Sequence, residues 1–504
     1  MVRSKRLLLP VTIVCVLGVF LIALLNFMIH RTEEEHQTSS SSIYDTVLLQ
    51  ADESVNPLAA IDKDFHVAQE FTSNLPILVF ALAGDKVNGQ ETGMLSVYNW
   101  EQAMNSLSVS PTQAIPVHIQ FEKTSEKVKP NVDITVYNTE GEVASAGIMG
   151  MMPDSHWHLN SLRTDLSLLR TYTVYRTAAK FMDYVPRVAF CEVLIEREGM
   201  LSYLGVYELQ ESIGVGPGKV AISEPDPAKT RTDYFLVSDI ARQGRLLSTR
   251  QIDGRYVRGY TSLLYPTEDM LSREQIEYIE KDYTTIEKRV SELNDYSILL
   301  DVENVIDYYI VNLYFGNSTA GKSMTYMTNT IGGKLQLGPI CDFDLALGNL
   351  NGPSPDPEEV SYDQQLFLSD MIRDNGFVSR LLRRFVELRR TVLQEESVYQ
   401  TIDETRNYLK CAKQRDDYRW GRTDQTEGIS AIYRNGPIES TEYERDLYRI
   451  KAYLTKHASE IRNTFAKIEE DQRIAMRFEG GNGLLLFVAL VLFFIPSILI
   501  NRKG

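Results

Sequence analysis

The chain has 504 residues, of which 52 are Lys or Arg and 68 are Asp or Glu, so its formal net charge is −16 at pH 7. Hydrophobic residues make up 43% and charged residues 24%, a balance typical of folded proteins that excludes disorder as a global description. An acidic chain lacks the basic face that neutralises phosphate backbones, so we expect no nucleic acid among its partners.

Two apolar runs without charge lie near the ends of the chain. Residues 7–29 form a run of 23, and residues 484–500 form a run of 17 that contains Pro496. The first run exceeds the apolar core of a signal peptide, which spans about 7–15 residues. About 20 apolar residues cross the hydrocarbon of a bilayer as a helix. We therefore expect one transmembrane helix at each end, with the membrane as a partner.

Basic residues flank both runs on the side of the chain ends. Arg3, Lys5 and Arg6 precede the first run, and Arg502 and Lys503 follow the second. Basic flanks stay on the cytoplasmic side of a membrane. The expected location is therefore the cell membrane, with both termini cytoplasmic and the main domain extracytoplasmic.

The composition divides the chain into six segments. They are a cytoplasmic tail and first helix (1–30), a Ser- and Glu-rich linker (31–56), a β-rich part (57–156), a core (157–350), a helical part (351–478), and a flexible joint with the second helix and tail (479–504).

The hydrophobic pattern predicts strands in the first half of the chain and one helix among them. Residues 75–82 are a nearly continuous apolar run, and 115–121 and 132–137 alternate apolar with polar residues, as half-buried strands do. Leucines spaced for one face predict a helix over 161–180. Strands follow at 188–195 and 204–209.

Helical periodicity dominates the second half. Residues 271–299 are charged and predicted to be helical, and 302–313 carry apolar residues at i, i+3 and i+4, which indicates a buried helix. A strand is predicted at 334–337. Residues 349–359 contain three prolines and are predicted to form a loop. A helical region begins near Phe377 and runs to about Ile468.

Two carboxylates, Asp342 and Asp344, follow the strand predicted at 334–337. In phosphoryl-transfer enzymes an aspartate at a strand end holds Mg²⁺ against nucleotide phosphates. Alternatively, the two residues cap a turn, as Asp often does after a strand. The spacing alone leaves both interpretations open.

Four blocks in order along the chain resemble the motifs of the CotH kinase family. They span 157–170, 203–211, 306–317 and 338–344, within a resemblance that covers about residues 75 to 470. The resemblance implies an α+β fold, atypical protein-kinase-like and two-lobed around a nucleotide cleft. Here this fold would be an ectodomain with a helical C-terminal region, flanked by one transmembrane helix at each end. The family is associated with spore coat protein H-like and other secreted or surface proteins, and with phosphorylation of protein hydroxyls.

The resemblance also implies site residues. Asp342 matches the metal-binding Asp of a Trp-Asp-x-Asp motif, Asp344 is its second Asp, and Cys341 takes the Trp position. Asn317 and Glu211 become candidates for cofactor binding, and the implied cofactor is ATP with Mg²⁺ or Mn²⁺. Asp165 and Arg170 also match family positions, but we interpret them as a structural ion pair.

Two departures from the family pattern concern catalysis. The family's catalytic Asp, 23 positions before the metal-binding Asp, falls on Thr319. Loss of a general base typically removes about 10²–10⁴ of rate. The family also has a lysine-rich segment before its Trp motif, whereas residues 145–156 contain neither lysine nor arginine to bind phosphate charge.

Three functional hypotheses follow, and we favour the first. In the first, the chain is a degenerate kinase that binds a secreted, surface or coat protein, with metal and nucleotide binding retained or lost. In the second, it is an active, divergent kinase that transfers phosphate from ATP to Ser or Thr of secreted proteins. In the third, it is a structural assembly protein of the envelope or spore that uses no nucleotide. Whether it is an enzyme stays open.

Overall fold

The computed structural model describes residues 51–421, with gaps at 55, 88, 101–103, 240–249, 253–254, 258–260, 318, 322–323 and 350–364, together with the helix over 440–500, whose side chains are described at 444–475. Fifteen strands and seven α-helices lie in this part of the chain.

A closed barrel of seven strands occupies the first half of the chain, in the order β2-β3-β5-β6-β7-β9-β8. The strands up to β9 are β1 (Thr72–Ser73), β2 (Ile77–Val87), β3 (Gln90–Tyr98), β4 (Asn105–Ser106), β5 (Gln113–Phe121), β6 (Val132–Val136), β7 (His156–Asn160), β8 (Val188–Arg197) and β9 (Met200–Glu211). All barrel pairings are antiparallel except that of β2 with β8, which is parallel and closes the barrel.

Alternation along the strands explains why the barrel has a filled interior. In β5, Ile115, Val117 and Ile119 are buried and belong to the same hydrophobic cluster as Trp157 of β7. Successive side chains of a strand point to opposite faces, so one apolar face per strand is sufficient to fill the barrel. The strands predicted from alternation at 115–121 and 132–137 are confirmed.

A second sheet of four antiparallel strands, in the order β13-β10-β14-β15, packs with helices in the second half of the chain. The later strands are β10 (Tyr234–Ser238), β11 (Arg250–Ile252), β12 (Arg255–Val257), β13 (Thr261–Tyr265), β14 (Thr325–Asn329) and β15 (Gln336–Leu337). The helices are α1 (Arg170–Ala178), α2 (Arg273–Ser291), α3 (Val302–Tyr314), α4 (Leu368–Met371), α5 (Asn375–Leu388), α6 (Glu395–Trp420) and α7 (Ser440–Ile500).

Side-chain caps fix where two of the predicted helices begin. The Ser272 hydroxyl accepts a hydrogen bond from the amide of Gln275, and the Gln275 side chain accepts one from the amide of Ser272, which is a complete capping box. The Asp301 carboxylate accepts from the amide of Asn304 at the start of α3. The helices predicted within 271–299 and over 302–313 are confirmed.

The helix predicted over 161–180 is much shorter than expected, since only Arg170–Ala178 is helical. Leu162 and Leu168 have positive φ angles of 55° and 61°, so the backbone before α1 turns instead of coiling. The carboxylate of Asp165 accepts hydrogen bonds from the amides of Ser167 and Arg170. Local bonds from an Asp side chain compete with helix formation, and leucine spacing alone does not reveal this competition.

The two flanking transmembrane helices that we expected are not supported. No helix in the described part of the chain is both long enough and apolar enough to cross a membrane. The first expected span, residues 7–29, lies outside the described residues. The second, residues 484–500, is the end of α7, which begins at Ser440. The fold class is corrected accordingly to a mixed arrangement of sheets and helices.

Helix α6 connects the helical part with the barrel. The Asp416 carboxylate accepts hydrogen bonds from the Nζ of Lys129 at 2.7 Å and from the amide of Val206 in β9 at 2.8 Å. Gly205 is the neighbouring residue in β9, and a Cβ built there would lie 2.5 Å from an oxygen of Asp416. The close approach of α6 to β9 therefore requires glycine at this position.

Candidate functional site

Asp344 lies in a turn after β15 and is surrounded by neutral donors. Its carboxylate accepts hydrogen bonds from the hydroxyls of Thr171 and Thr164, at 2.8 and 3.2 Å, and from the amide of the Asn160 side chain at 3.3 Å. Burial is the main reason that the pKa of Asp344 is raised, and the bond from Thr171 opposes this shift. Asp344 is thus oriented by strand β7, the segment before α1 and α1 itself.

Asp342 lies two residues earlier and differs from Asp344 in its surroundings. Its backbone is left-handed, with φ of 58°, and its side chain is exposed. One side of the Asp342 side chain faces solvent, and protein atoms cover the rest. This partial burial, together with the smaller effect of the charge of Asp344, raises the pKa of Asp342 to about 6. A hydrogen bond from Thr319 opposes the shift. The carboxylate is therefore mostly ionised above pH 7 and accessible to a cation.

Thr319 and Asn317 follow α3 and lie beside Asp342. The Thr319 hydroxyl donates to the Asn317 side chain at 2.7 Å and lies 3.4 Å from the backbone carbonyl oxygen of Asp342. Asn317 in turn donates to the side chain of Asn312 in α3 at 2.9 Å. The structure thus brings three of the proposed site residues together, namely Thr319, Asn317 and Asp342.

The segments that carry these residues are joined by the backbone. The amide of Leu347 donates to the carbonyl oxygen of Phe315 at 2.8 Å. One segment, residues 315–317 and 319, follows the end of α3, and we call it the α3 turn. The other, 342–349, follows β15, and we call it the aspartate turn.

Glu211, the other cofactor-binding candidate, lies at the end of β9 and is already engaged. Its carboxylate accepts hydrogen bonds from the amide and the guanidinium of Arg187 and from the hydroxyl of Tyr184. Both charged side chains are buried, with 0% of Glu211 and 4% of Arg187 exposed. The structure therefore places Glu211 in a buried ion pair, outside the hydrogen-bond network of Asp342, Asp344 and Thr319.

An apolar cluster extends from the Glu211 side of the site to the Asp342 side. Phe235, Val237 and Tyr326 form part of its buried centre, and Tyr184 and Cys341 pack against it. Tyr184 is the residue that donates to Glu211, and Cys341 directly precedes Asp342. Phe235, Val237 and Tyr326 are at most 7% exposed, so the centre of the cluster is part of the hydrophobic core beside the site.

The described cations around the site are paired with carboxylates. Arg163 forms two hydrogen bonds to Glu122, at 2.5 and 2.9 Å. Lys219 approaches the segment 145–156, which has no cation of its own, but its ammonium donates to Asp154 and to the Ser212 carbonyl. Lys322 lies outside the described residues. Because paired cations are already neutralised, they offer little attraction to phosphate charge.

Asp165 and Arg170 form a buried network behind the aspartate turn. Arg170 donates to the carboxylates of Asp165 and Asp446 and, through Nε, to the carbonyl oxygen of Ala346 at 3.1 Å. All three charged side chains are at most 4% exposed. The arrangement supports the structural interpretation of the Asp165–Arg170 pair, since no part of it faces solvent.

Several residues of the site were not identified from the sequence. Asn160 and Thr171 orient Asp344, and Asn349 donates to the carbonyl oxygens of both Asp344 and Thr164 at 2.8 Å. Glu208 of β9 is fully buried, and burial, with the charge of Asp344, raises its pKa well above the usual range. Asn160 lies within the block 157–170. The polar residues inside the motif blocks were therefore the feature of the sequence from which it could have been identified as a site residue.

The donor set fits a divalent cation only in part. Asp342 and Asp344 are two carboxylates, and Mg²⁺ is commonly held by one or two carboxylates with substrate phosphates and water. Within the described ranges, the only group of three ligating side chains within 4.8 Å of one another is Asp62, Asp64 and His66, on an exposed loop. A cation at Asp342 would therefore depend on ligands from nucleotide or water.

Comparison with known proteins agrees with the four motif blocks. The family model described as CotH kinase protein matches residues 118–461, which is 344 of the 504 residues. No curated protein matches the chain. The matched range begins in β5 and ends in α7, so it contains every residue of the site described above.

Proposed function

The chain belongs to the CotH kinase family, and from this membership we propose that it is a degenerate kinase that keeps a divalent-cation site at Asp342 and acts by binding a protein. Kinases of this family generally depend on ATP and metal ions. The proposal separates these two requirements, because the cation ligand is present and the catalytic base is not. An extracytoplasmic location and a secreted or surface protein as partner stay predictions.

The observation that carries the proposal is the position of Thr319. Its hydroxyl donates to Asn317 and lies beside the Asp342 backbone, where the family resemblance implies a catalytic carboxylate. A threonine hydroxyl does not accept a proton near neutral pH, so it does not serve as a general base. Loss of a general base typically removes about 10²–10⁴ of rate, so we expect no detectable phosphate transfer.

The charges around the site support the same proposal. Arg163, Arg187 and Lys219 are each paired with a carboxylate, at Glu122, Glu211 and Asp154. A triphosphate carries several negative charges, and recruiting Arg187 or Lys219 would leave a buried or half-buried carboxylate without its partner. Tight binding of ATP is therefore not expected, even with a cation at Asp342.

The test is the melting temperature of the full chain with Mn²⁺, with and without ATP, together with phosphate transfer from ATP. We expect Mn²⁺ to stabilise the wild type and not Asp342→Ala, and we expect no phosphate transfer. A ligand at a hundredfold excess over its Kd stabilises by about 2.7 kcal/mol. Glu70→Ala, which removes an exposed acid outside the site, is the matched control.

Two results would contradict the proposal. Phosphate transfer that disappears in Asp342→Ala would identify an active kinase. Absence of any Mn²⁺ effect on the wild type would mean that the cation site has been lost, which leaves the structural hypothesis.

A further inference from the structure

Three residues of helix α7, namely Asp446, Tyr453 and His457, connect this helix with the segments that carry the candidate site. The last in chain order is His457, whose Nε2 donates to the carbonyl oxygen of Leu313 at 2.7 Å. Leu313 belongs to the final turn of α3, and its carbonyl oxygen also accepts a hydrogen bond from the amide of Gly316 at 3.1 Å, so His457 is a second donor to it. His457 is 3% exposed, so water does not replace this bond. His457 therefore caps α3 immediately before the α3 turn that carries Asn317 and Thr319.

Tyr453 lies one helical turn before His457 and contacts the α3 turn itself. The rings of Tyr453 and His457 stack with centroids 4.9 Å apart. A Cβ built on Gly316 would lie 1.8 Å from the Tyr453 hydroxyl oxygen, and Gly316 has a φ of 61°. The α3 turn is thus packed directly against the tyrosine, without room for a side chain between them.

Asp446 lies near the start of α7 and contacts the other segment of the site through an intermediary. Its carboxylate accepts from Arg170 at 3.3 Å, and Arg170 donates to the carbonyl oxygen of Ala346 at 3.1 Å. Ala346 belongs to the aspartate turn. The same helix therefore holds both segments, one by direct contact and the other by way of a buried arginine.

The spacing of the three residues places them on one face of α7. Asp446, Tyr453 and His457 are separated by seven and four residues, which correspond to about two turns and one turn of a helix. The 11 residue steps from Asp446 to His457 span about 16 Å. A rigid element of this length sets the separation between its two points of contact.

We propose that α7 is a positioning element, with His457 as its positioning residue, that fixes the α3 turn relative to the aspartate turn. It does not touch the exposed carboxylate of Asp342, so its effect is on the relative placement of Thr319, Asn317 and Asp342. The two turns also contact each other directly, through the bond from Leu347 to Phe315 and the contact of Thr319 with Asp342, and α7 adds contacts to both turns from a third element.

The experiment compares full-length His457→Leu, which loses the donor, with His457→Gln, which keeps an N–H near the position of Nε2. Tyr448→Ala is the control on the same helix, because Tyr448 is 70% exposed. Hydrogen exchange is measured over 313–321 and 342–349, and Mn²⁺ affinity is measured by titration. We expect His457→Leu to accelerate exchange at least fivefold in both segments and to weaken Mn²⁺ binding at least fivefold. His457→Gln and Tyr448→Ala should stay within twofold of the wild type.

The two readouts separate the possible failures. If His457→Leu leaves exchange in both segments unchanged, the positioning role is wrong, even if the melting temperature falls. If the wild type does not bind Mn²⁺, the proposed function fails, but exchange still decides the role of α7. Should His457→Leu not fold, Asp446→Asn tests the opposite end of the helix. In that variant the acceleration should be confined to 342–349, and unchanged exchange there would overturn the proposal.

Discussion

The hydroxyl of Thr319 lies 3.4 Å from the backbone carbonyl oxygen of Asp342. The residue that the resemblance aligns with the family's catalytic Asp and the residue that it aligns with the metal-binding Asp are thus neighbours. The first of them carries a hydroxyl in place of a carboxylate. This contrast is the basis of the first prediction.

Thr319→Asp should not create a fast enzyme. The change restores a carboxylate, but it places a third negative charge next to Asp342 and Asp344, and it adds no cation for phosphate. We expect phosphate transfer within tenfold of the wild-type background, measured with radiolabelled ATP and Mn²⁺. Thr319→Val, which removes the hydroxyl at nearly constant volume, is the matched control. Turnover that rises by several orders of magnitude would show that cations outside the described contacts bind the phosphates.

Arg170→Met should destabilise the fold strongly. The variant leaves Asp165 and Asp446 buried without their shared cation, and loss of one partner of a buried pair typically costs about 3–5 kcal/mol. Urea denaturation measures the change in the free energy of unfolding. The control is Arg273→Met, because Arg273 is 88% exposed and exposed pairs contribute about 0–1 kcal/mol. Equal effects of the two substitutions would show that the buried network around Arg170 contributes no more to the free energy of unfolding than an exposed ion pair does.

Asp416→Ala should also destabilise, and Lys129→Met should partly reverse its effect. Lys129 is 1% exposed, and removal of Asp416 takes away the carboxylate that is hydrogen-bonded to its ammonium. The Val206 carbonyl, the Tyr207 ring and the charge of Asp417, which is not hydrogen-bonded to Lys129, then remain. We expect a loss of about 3–5 kcal/mol for Asp416→Ala and a smaller loss for the double variant, because the unpaired charge is then gone. The measurement is a double-mutant cycle by urea denaturation. Simple additivity of the two changes would contradict the pairing.

The stability of the fold should depend on pH through His457. Burial lowers the pKa of His457 from its usual 6.5 to about 4, although the bond to the Leu313 carbonyl opposes this shift. Between these values the unfolded chain binds a proton that the folded chain does not, so stability falls as the pH decreases from 6.5 to 4. From pH 7 to pH 5 the wild type should lose about 2 kcal/mol more than His457→Gln, measured by urea denaturation. Parallel losses in the two proteins would show that His457 does not titrate in this way.

Local patterns predicted much of the secondary structure. The strand at 132–136 and the helix α3 follow from alternation and from i, i+3, i+4 spacing, because each needs only one buried face. The pattern failed over 161–169, where the side chain of Asp165 bonds the backbone and turns the chain. Leucine periodicity does not report such competing bonds.

The candidate site was predicted in part. The motif blocks indicated Asn317 and Asp342, the spacing of 23 positions before Asp342 indicated Thr319, and these three residues are neighbours in the structure. The partner of Glu211 was not predicted, because a single sequence does not show that Arg187, 24 residues earlier, occupies its carboxylate. The contact between Arg170 and Asp446 joins residues 276 positions apart. Long-range pairs of this kind depend on the complete fold.

The parallel pairing of β2 with β8 has a consequence for protein synthesis. Ile77 pairs with Glu192, and Ala81 pairs with Glu196, so each partner is made 115 residues after the other. A nascent chain exposes one edge of β2 until β8 has left the ribosome. At about 5–20 residues per second, this delay lasts roughly 6–23 seconds. Contacts between distant parts of the chain also slow folding. The incomplete barrel therefore presents an unpaired strand edge to other nascent chains during this interval, and chaperones that cover such edges would act at this stage.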